Sequence, residues 1–83
     1  MKIYRTDRTV EEPSEVPPFR EMQKIVGGYV EFVYLLDGTV MVVNENGIPE
    51  GLALNQTATD IAGTLLYGNI IHLSAVEFKE NIE

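Results

Sequence analysis

The chain has 83 residues, a hydrophobic fraction of 45%, a formal net charge of −7 and no cysteine. This length suits one domain with a small core, and the hydrophobic fraction is too high for a disordered chain. Disulfides, thiolate chemistry and cysteine-based zinc sites are excluded, and the acidic balance argues against a nucleic-acid partner.

The first third of the chain predicts two short strands and one helix. Residues 1–12 have the pattern of a short strand, a polar turn and a second short strand. Residues 11–18 are charged and proline-rich, which indicates an irregular connector. Apolar residues then recur at helical spacing until Gly27-Gly28, so a helix is predicted at about 18–26.

A hairpin is the clearest structural signal in the sequence. Two β-rich runs, at about 29–36 and 39–44, flank Asp37-Gly38, a dipeptide favoured in two-residue turns. With that turn, Tyr34 lies opposite Met41 and Phe32 opposite Val43. Both faces of this hairpin are apolar, so it needs cover on both sides. The helix supplies one cover, and the other comes from a curled sheet, the C-terminal segment or a second copy of the chain.

The C-terminal part predicts further short elements. Asn55 is a suitable N-cap for a short helix at about 56–62, and a strand follows at about 69–73. Ser74 and Glu77 have the spacing of a capping box, which predicts a last helical turn through Phe78. The predicted fold class is α+β, a small, mostly antiparallel sheet built on the central hairpin, in a single domain covering 1–83.

The sequence contains no recognisable catalytic or metal-binding constellation. The only histidine, His72, lies in an apolar run and has Ser74 on the same strand face, but no third group orients the pair. A partly buried structural histidine is therefore expected. Asn44-Glu45-Asn46-Gly47 resembles part of a calcium loop, yet Val42 and Ala53 stand where acidic ligands belong. We predict no catalytic residue, no metal and no cofactor.

Short polar side chains gather between residues 44 and 59, on predicted turns and at a helix start. They have two interpretations: caps and turns that serve the fold, or a site for a small ligand or a partner. If they form a site, its residues are Tyr29, Asn44, Glu45, Asn55, Thr57 and Thr59.

Several segments resemble a domain-of-unknown-function family of small phage, plasmid and gut-bacterial proteins. They are Lys2-Ile3-Tyr4-Arg5-Thr6-Asp7, Val26-Gly27-Gly28-Tyr29-Val30-Glu31, Val43-Asn44-Glu45-Asn46-Gly47, Gly51-Leu52-Ala53-Leu54-Asn55-Gln56-Thr57-Ala58-Thr59 and Gly68-Asn69-Ile70-Ile71. The family often has proline where this chain has Gln56. The resemblance implies a mobile-element setting and brings no known reaction or ligand.

The expected function is that of a non-enzymatic binding protein of phage or mobile-element origin. It would antagonise or modulate a host protein, such as a defence component, through protein–protein contact, either alone or as a homodimer. The alternative is a small-molecule binder that sequesters a nucleotide-type signal. Without an apolar leader or a long apolar run, we expect a cytoplasmic protein with no membrane partner.

Overall fold

The computed structural model describes residues 1–83 as one five-stranded antiparallel sheet with helices on both faces. Along the chain the elements are β1 (Lys2–Tyr4), β2 (Val10–Glu11), α1 (Phe19–Val26), β3 (Val30–Tyr34), β4 (Val40–Asn44), α2 (Gln56–Ala62), β5 (Ile70–Leu73) and α3 (Ala75–Asn81). The strand order is β2-β1-β5-β4-β3, which confirms the predicted α+β class and leaves β2 and β3 at the two edges. No helix has the length and apolar character needed to cross a membrane.

The predicted elements are confirmed with small changes at their ends. Pro18 occupies the N-cap position, so α1 begins one residue later than predicted, and Gly27 ends it with a φ of 88°. The capping box of Ser74 and Glu77 is present, and α3 continues past Phe78 to Asn81.

The predicted register of the central hairpin is wrong by one residue. Leu35 N–H donates to the carbonyl of Thr39 at 2.9 Å, so the loop has three residues and Phe32 lies opposite Val42. Gly38 has a φ of 88°, and its N–H donates to the carbonyl of Leu35 at 3.1 Å. This is a turn followed by a left-handed glycine, the usual form of a three-residue hairpin loop.

Both faces of the sheet are covered within one chain, as the apolar pattern of the hairpin requires. On the first face, Met22 and Val26 of α1 and Phe78 of α3 pack over Val42. On the second face a smaller cluster packs around α2 and the segment after it: Tyr4, Met41, Val43, Ala58, Leu66 and Ile70. A second copy of the chain is therefore not needed as a cover.

Candidate functional site

Asn44, the last residue of β4, joins three segments of the fold. Its side chain is buried, Nδ2 donates to the carbonyl of Val26 at 3.1 Å, and Oδ1 accepts from the N–H of Asn46 at 2.7 Å. A side chain at Gly28 would place its Cβ 3.2 Å from Nδ2 of Asn44. Asn44 therefore fixes the end of α1 and the turn after β4.

Asn55 is fully buried, and its amide is used entirely within the fold. Oδ1 accepts from the N–H of Ala58 at 3.0 Å, which confirms the predicted N-cap of α2. Nδ2 donates to the carbonyls of Tyr4 and Gly68, each at 2.8 Å. One side chain thus connects α2, β1 and the turn before β5.

The two threonines of α2 differ in their contacts. Oγ1 of Thr59 accepts from the N–H of Leu66 at 3.0 Å and closes the segment that follows the helix. Thr57 is half-buried and makes no side-chain hydrogen bond. Asn55, Thr57 and Thr59 lie outside the cavity that contains Asn44 and Glu45, so the six predicted residues do not converge on one pocket.

Asn44 and Glu45 do line a shallow cavity of about 190 Å³, which we call the Glu31 cavity. Its lining is formed by β3, β4, the turn after β4 and the segment before β5: Glu31, Val33, Val43, Asn44, Glu45, Gly47, Ile48, Pro49, Leu65, Leu66 and Tyr67. Ile48 and Leu65 are 71% and 62% exposed, so apolar surface at this cavity is open to solvent. Tyr29 lies outside it, in a neighbouring concavity with Gln23, Gly28, Asn46 and Glu50.

Two carboxylates stand together at the Glu31 cavity without a cation in its lining. Glu31 pairs with Val43 in the ladder, so Glu45, two residues beyond Val43, is its diagonal neighbour on the same face. The Cα atoms of diagonal neighbours in an antiparallel pair are about 7–8 Å apart, and their Cβ atoms are somewhat closer. Both glutamates are exposed, whereas the apolar lining residues Val33, Val43 and Leu66 are buried or half-buried. The cavity thus combines an apolar base with a negatively charged rim.

The outer edge of β3 has unpaired main-chain groups. Leu35 bonds to Thr39 and Tyr29 accepts from Glu45, so the odd-numbered residues between them face β4. The main-chain groups of Val30, Phe32 and Tyr34 therefore point away from the sheet, and no other segment bonds to them. We call this row of groups the β3 edge.

On the opposite face from the Glu31 cavity, the β3 edge is bordered by aromatic side chains. The ring centroid of Phe78 lies 5.2 Å from that of Phe32 and 5.8 Å from that of Tyr34, both in edge-to-face geometry. Beside them a concavity of about 340 Å³, the Phe32 groove, is lined by Phe19, Phe32, Asn81 and Ile82. Tyr34 is 67% exposed, so the β3 edge has accessible apolar surface on both of its sides.

His72 connects the hairpin loop with β1 through its two ring nitrogens. Oγ1 of Thr39 lies 2.6 Å from Oδ1 of Asp37 and 2.7 Å from Nε2 of His72. Because the threonine proton points to the carboxylate, Nε2 must carry a hydrogen, and Nδ1 accepts from the hydroxyl of Tyr4 at 2.8 Å.

This arrangement is that of a structural histidine. Burial, and to a lesser degree Lys2 and the amino group of Met1, lower the pKa of His72, while Asp37 and Glu77 oppose the change. Burial also raises the pKa of the Tyr4 hydroxyl, with a contribution from Glu12. Ser74 is occupied as the N-cap of α3 rather than as a partner of the histidine.

Comparison with known families gives one match. A family model described as Domain of unknown function (DUF3846) covers residues 1–82. The chain belongs to the DUF3846 family. No curated protein and no solved structure gave a significant match to this DUF3846 chain.

The β3 edge of this DUF3846 chain is the feature that sequence reasoning missed. The sequence predicts that Glu31, Phe32 and Tyr34 lie in a strand, but the position of that strand at the edge depends on contacts far apart in sequence. One local signal was available: β3 contains a single charge and neither lysine nor proline. No group of three or more histidine, cysteine, aspartate or glutamate residues is arranged to hold a metal ion.

Proposed function

We propose that this DUF3846 chain is a non-enzymatic binding protein whose β3 edge takes up an extended segment of another protein. The observation that carries the proposal is a five-residue edge strand with free main-chain groups and accessible apolar surface on both sides. Proteins commonly blunt such edges with short strands, lysine, proline or a covering segment. The opposite edge follows that rule, since β2 has only two residues.

A partner strand would gain both main-chain bonds and apolar contacts at this edge. Val30, Phe32 and Tyr34 present three N–H donors and three carbonyl acceptors, and each intermolecular hydrogen bond contributes about 1 kcal/mol. The Glu31 cavity and the Phe32 groove flank these groups, so alternate side chains of an added strand have a site on either face.

The biological setting is part of the same proposal. The resemblance to phage, plasmid and gut-bacterial proteins suggests a chain of mobile-element origin that acts inside a bacterial host. An edge that captures a strand would allow it to occupy and so antagonise or modulate a host protein, such as one used in defence. Neither the capture of a strand nor the occupation of the host protein requires catalysis.

Two substitutions of Tyr34 test the proposal with a matched control. Tyr34→Pro and Tyr34→Val both remove the ring, but only proline also removes the outward N–H, which an edge strand tolerates on its solvent side. We expect one host protein to be retained by the wild type and Tyr34→Val and lost from Tyr34→Pro, in capture experiments from a host extract. Circular dichroism checks that both variants fold. Equal capture by Tyr34→Pro, or no specific capture at all, would contradict the proposal.

One observation favours the alternative of a nucleotide-type ligand. The concavity beside Tyr29 has a volume of about 420 Å³, which falls within the range of small-molecule sites. The exposed ring of Tyr29 offers a stacking surface, whereas the carboxylate of Glu50 disfavours a phosphate there. A thermal-shift series with nucleosides and nucleotides tests it, because a ligand at 100 times its Kd adds about 2.7 kcal/mol to the stability.

A further inference from the structure

We infer that the segment taken up by the β3 edge alternates basic and apolar residues, with a lysine or arginine side chain entering the Glu31 cavity. This inference rests on the proposed function and names the chemistry of the partner. It follows from the two different surfaces that border one strand edge.

The Glu31 cavity matches the two parts of a long basic side chain. Its lining includes Val33, Val43 and Leu66, which are buried or half-buried, so an alkyl stem finds apolar side chains to pack against. Its rim has the carboxylates of Glu31 and Glu45 and no cation, so a charged head finds two acceptors there. A carboxylate or phosphate group of a partner would instead be repelled by these two carboxylates.

The other face of the same edge selects an apolar residue. Successive side chains of a strand point to opposite faces, so every second residue of an added strand shares the face of Glu31. The residues between them face Phe32 and the Phe32 groove, whose lining has no charged residue. The expected pattern is therefore basic and apolar residues in strict alternation.

Charge complementarity also argues against a second copy of this chain as the occupant. In a copy of β3, the residues that share the face of the cavity are Glu31 and Val33, so no cation would be supplied. Such pairing would bring a third carboxylate, that of the copy's Glu31, to the rim, and each chain has a net charge of −7. An extended basic segment instead neutralises this face.

Peptides of about six residues, the length of an ordinary strand, provide the probe. The first alternates lysine and valine, the second replaces lysine with glutamate, and the third is the lysine peptide with N-methylated main-chain amides. Binding of each labelled peptide to the full chain is measured by fluorescence anisotropy at low and high salt. We expect the lysine peptide to bind more weakly as salt rises, and the other two peptides to bind much less.

Substitutions of the two glutamates test whether the lysine peptide binds at the Glu31 cavity. Glu31→Gln and Glu45→Gln should each weaken binding of the lysine peptide by about two- to fivefold, the effect of losing an exposed ion pair. The matched control is Glu80→Gln, an exposed glutamate of α3 outside the cavity lining, which should leave the affinity unchanged. Tyr34→Pro should abolish binding that Tyr34→Val retains.

The outcomes separate this inference from the proposed function. Equal binding of the lysine and glutamate peptides, or unchanged affinity in both glutamine variants, overturns the basic segment. In that case, the proposed function is still supported if the wild type and Tyr34→Val capture a host protein and Tyr34→Pro does not. If no peptide binds and light scattering shows a dimer at neutral pH that Tyr34→Pro disrupts, the occupant is a second copy and the inference is wrong. If Tyr34→Pro changes neither peptide binding nor capture of a host protein, the proposed function fails as well.

Discussion

Arg8 and Gly38 occupy equivalent positions in two hairpin loops of the same design. In the first loop Arg5 N–H donates to the carbonyl of Thr9, and in the second Leu35 N–H donates to that of Thr39, each at 2.9 Å. Both residues have a positive φ, 74° at Arg8 and 88° at Gly38. A side chain is disfavoured in this conformation and glycine is not. The loop between β1 and β2 therefore contains strain that the central hairpin avoids.

Exchanging residues at these two positions should change the stability in opposite directions. Arg8→Gly relieves the strain but adds flexibility to the unfolded chain, so the free energy of unfolding should rise by about 0.5 kcal/mol. Gly38→Arg introduces the strain but removes flexibility from the unfolded chain, so the free energy of unfolding should fall by about 0.5 kcal/mol. Urea denaturation of both variants measures the two changes. Destabilisation by Arg8→Gly would contradict the strain at that position.

The same loop shows what the sequence could and could not predict about the sheet. Asp37-Gly38 correctly predicts where the turn lies, but it predicts a two-residue loop and the structure has a three-residue loop. The carboxylate of Asp37 accepts from both the N–H and the hydroxyl of Thr39, and this local bonding favours the three-residue form. A change of one residue in the loop reverses which side chains share a face, so Phe32 joins Val42 instead of Val43.

The two covers of the sheet were predicted in number, and α1 was correctly predicted as one of them. Apolar residues on both sides of the hairpin required two layers, and α1 was a natural candidate for one. Ala58 and Leu66 form much of the other, although they are far along the chain from β4. Strand order likewise places β5 between β1 and β4, a long-range arrangement that local patterns do not encode.

His72 should make the stability depend on pH at mildly acidic values. Its folded pKa is lowered below the ordinary value of 6.5, mainly by burial, so in this window the unfolded chain binds a proton that the folded chain does not. The contribution is fully present above about pH 6.5 and is lost as the pH falls through 6.5 toward the folded pKa. Urea denaturation at intervals between about pH 7.5 and 5 measures this decline.

A single substitution tests whether His72 causes this pH dependence, because the chain has one histidine. His72→Gln keeps a polar side chain beside Thr39 and Tyr4 but removes the titration. The slope of stability against pH between about 7 and 5.5 should then become flat, whatever the absolute stability of the variant. A slope that persists unchanged would mean that other groups cause it.

Asn55 should be among the most sensitive polar positions of the fold. Asn55→Ala removes the N-cap of α2, worth about 1 kcal/mol, and leaves the carbonyls of Tyr4 and Gly68 without the amide donor. The carbonyl of Tyr4 faces β5 and keeps its ladder partner Ile70, so only the carbonyl of Gly68 is left unsatisfied. A buried unsatisfied group costs about 1–3 kcal/mol, so the total loss should be at least about 2 kcal/mol. The matched control is Thr57→Ala, in which no side-chain bond is lost, with an expected change within about 0.5 kcal/mol. Similar losses in both variants would contradict this role of Asn55.

As with the fold, local sequence predicted part of the candidate site, and the rest depends on contacts between residues distant in sequence. Asn55 was expected to cap a helix and does so, yet its bonds to residues 4 and 68 join segments that are distant in sequence. Glu45 and Asn44 were predicted as site residues and lie in the Glu31 cavity. The second carboxylate of that cavity, Glu31, joins them only because the register pairs it with Val43.

Net negative charge should keep the β3 edges of separate molecules apart, and its removal should allow them to associate. The chain has a net charge of −7 at pH 7 and a pI of about 4.5, so repulsion between copies fades as the pH approaches that value. We expect light scattering to show increasing association from about pH 7 to 5 while circular dichroism confirms that the chain stays folded. Tyr34→Pro, which removes an outward N–H from the β3 edge, should reduce this association, and Tyr34→Val should reduce it less because it retains the donor. Equal association of the wild type and both variants would locate the contact elsewhere on the molecule.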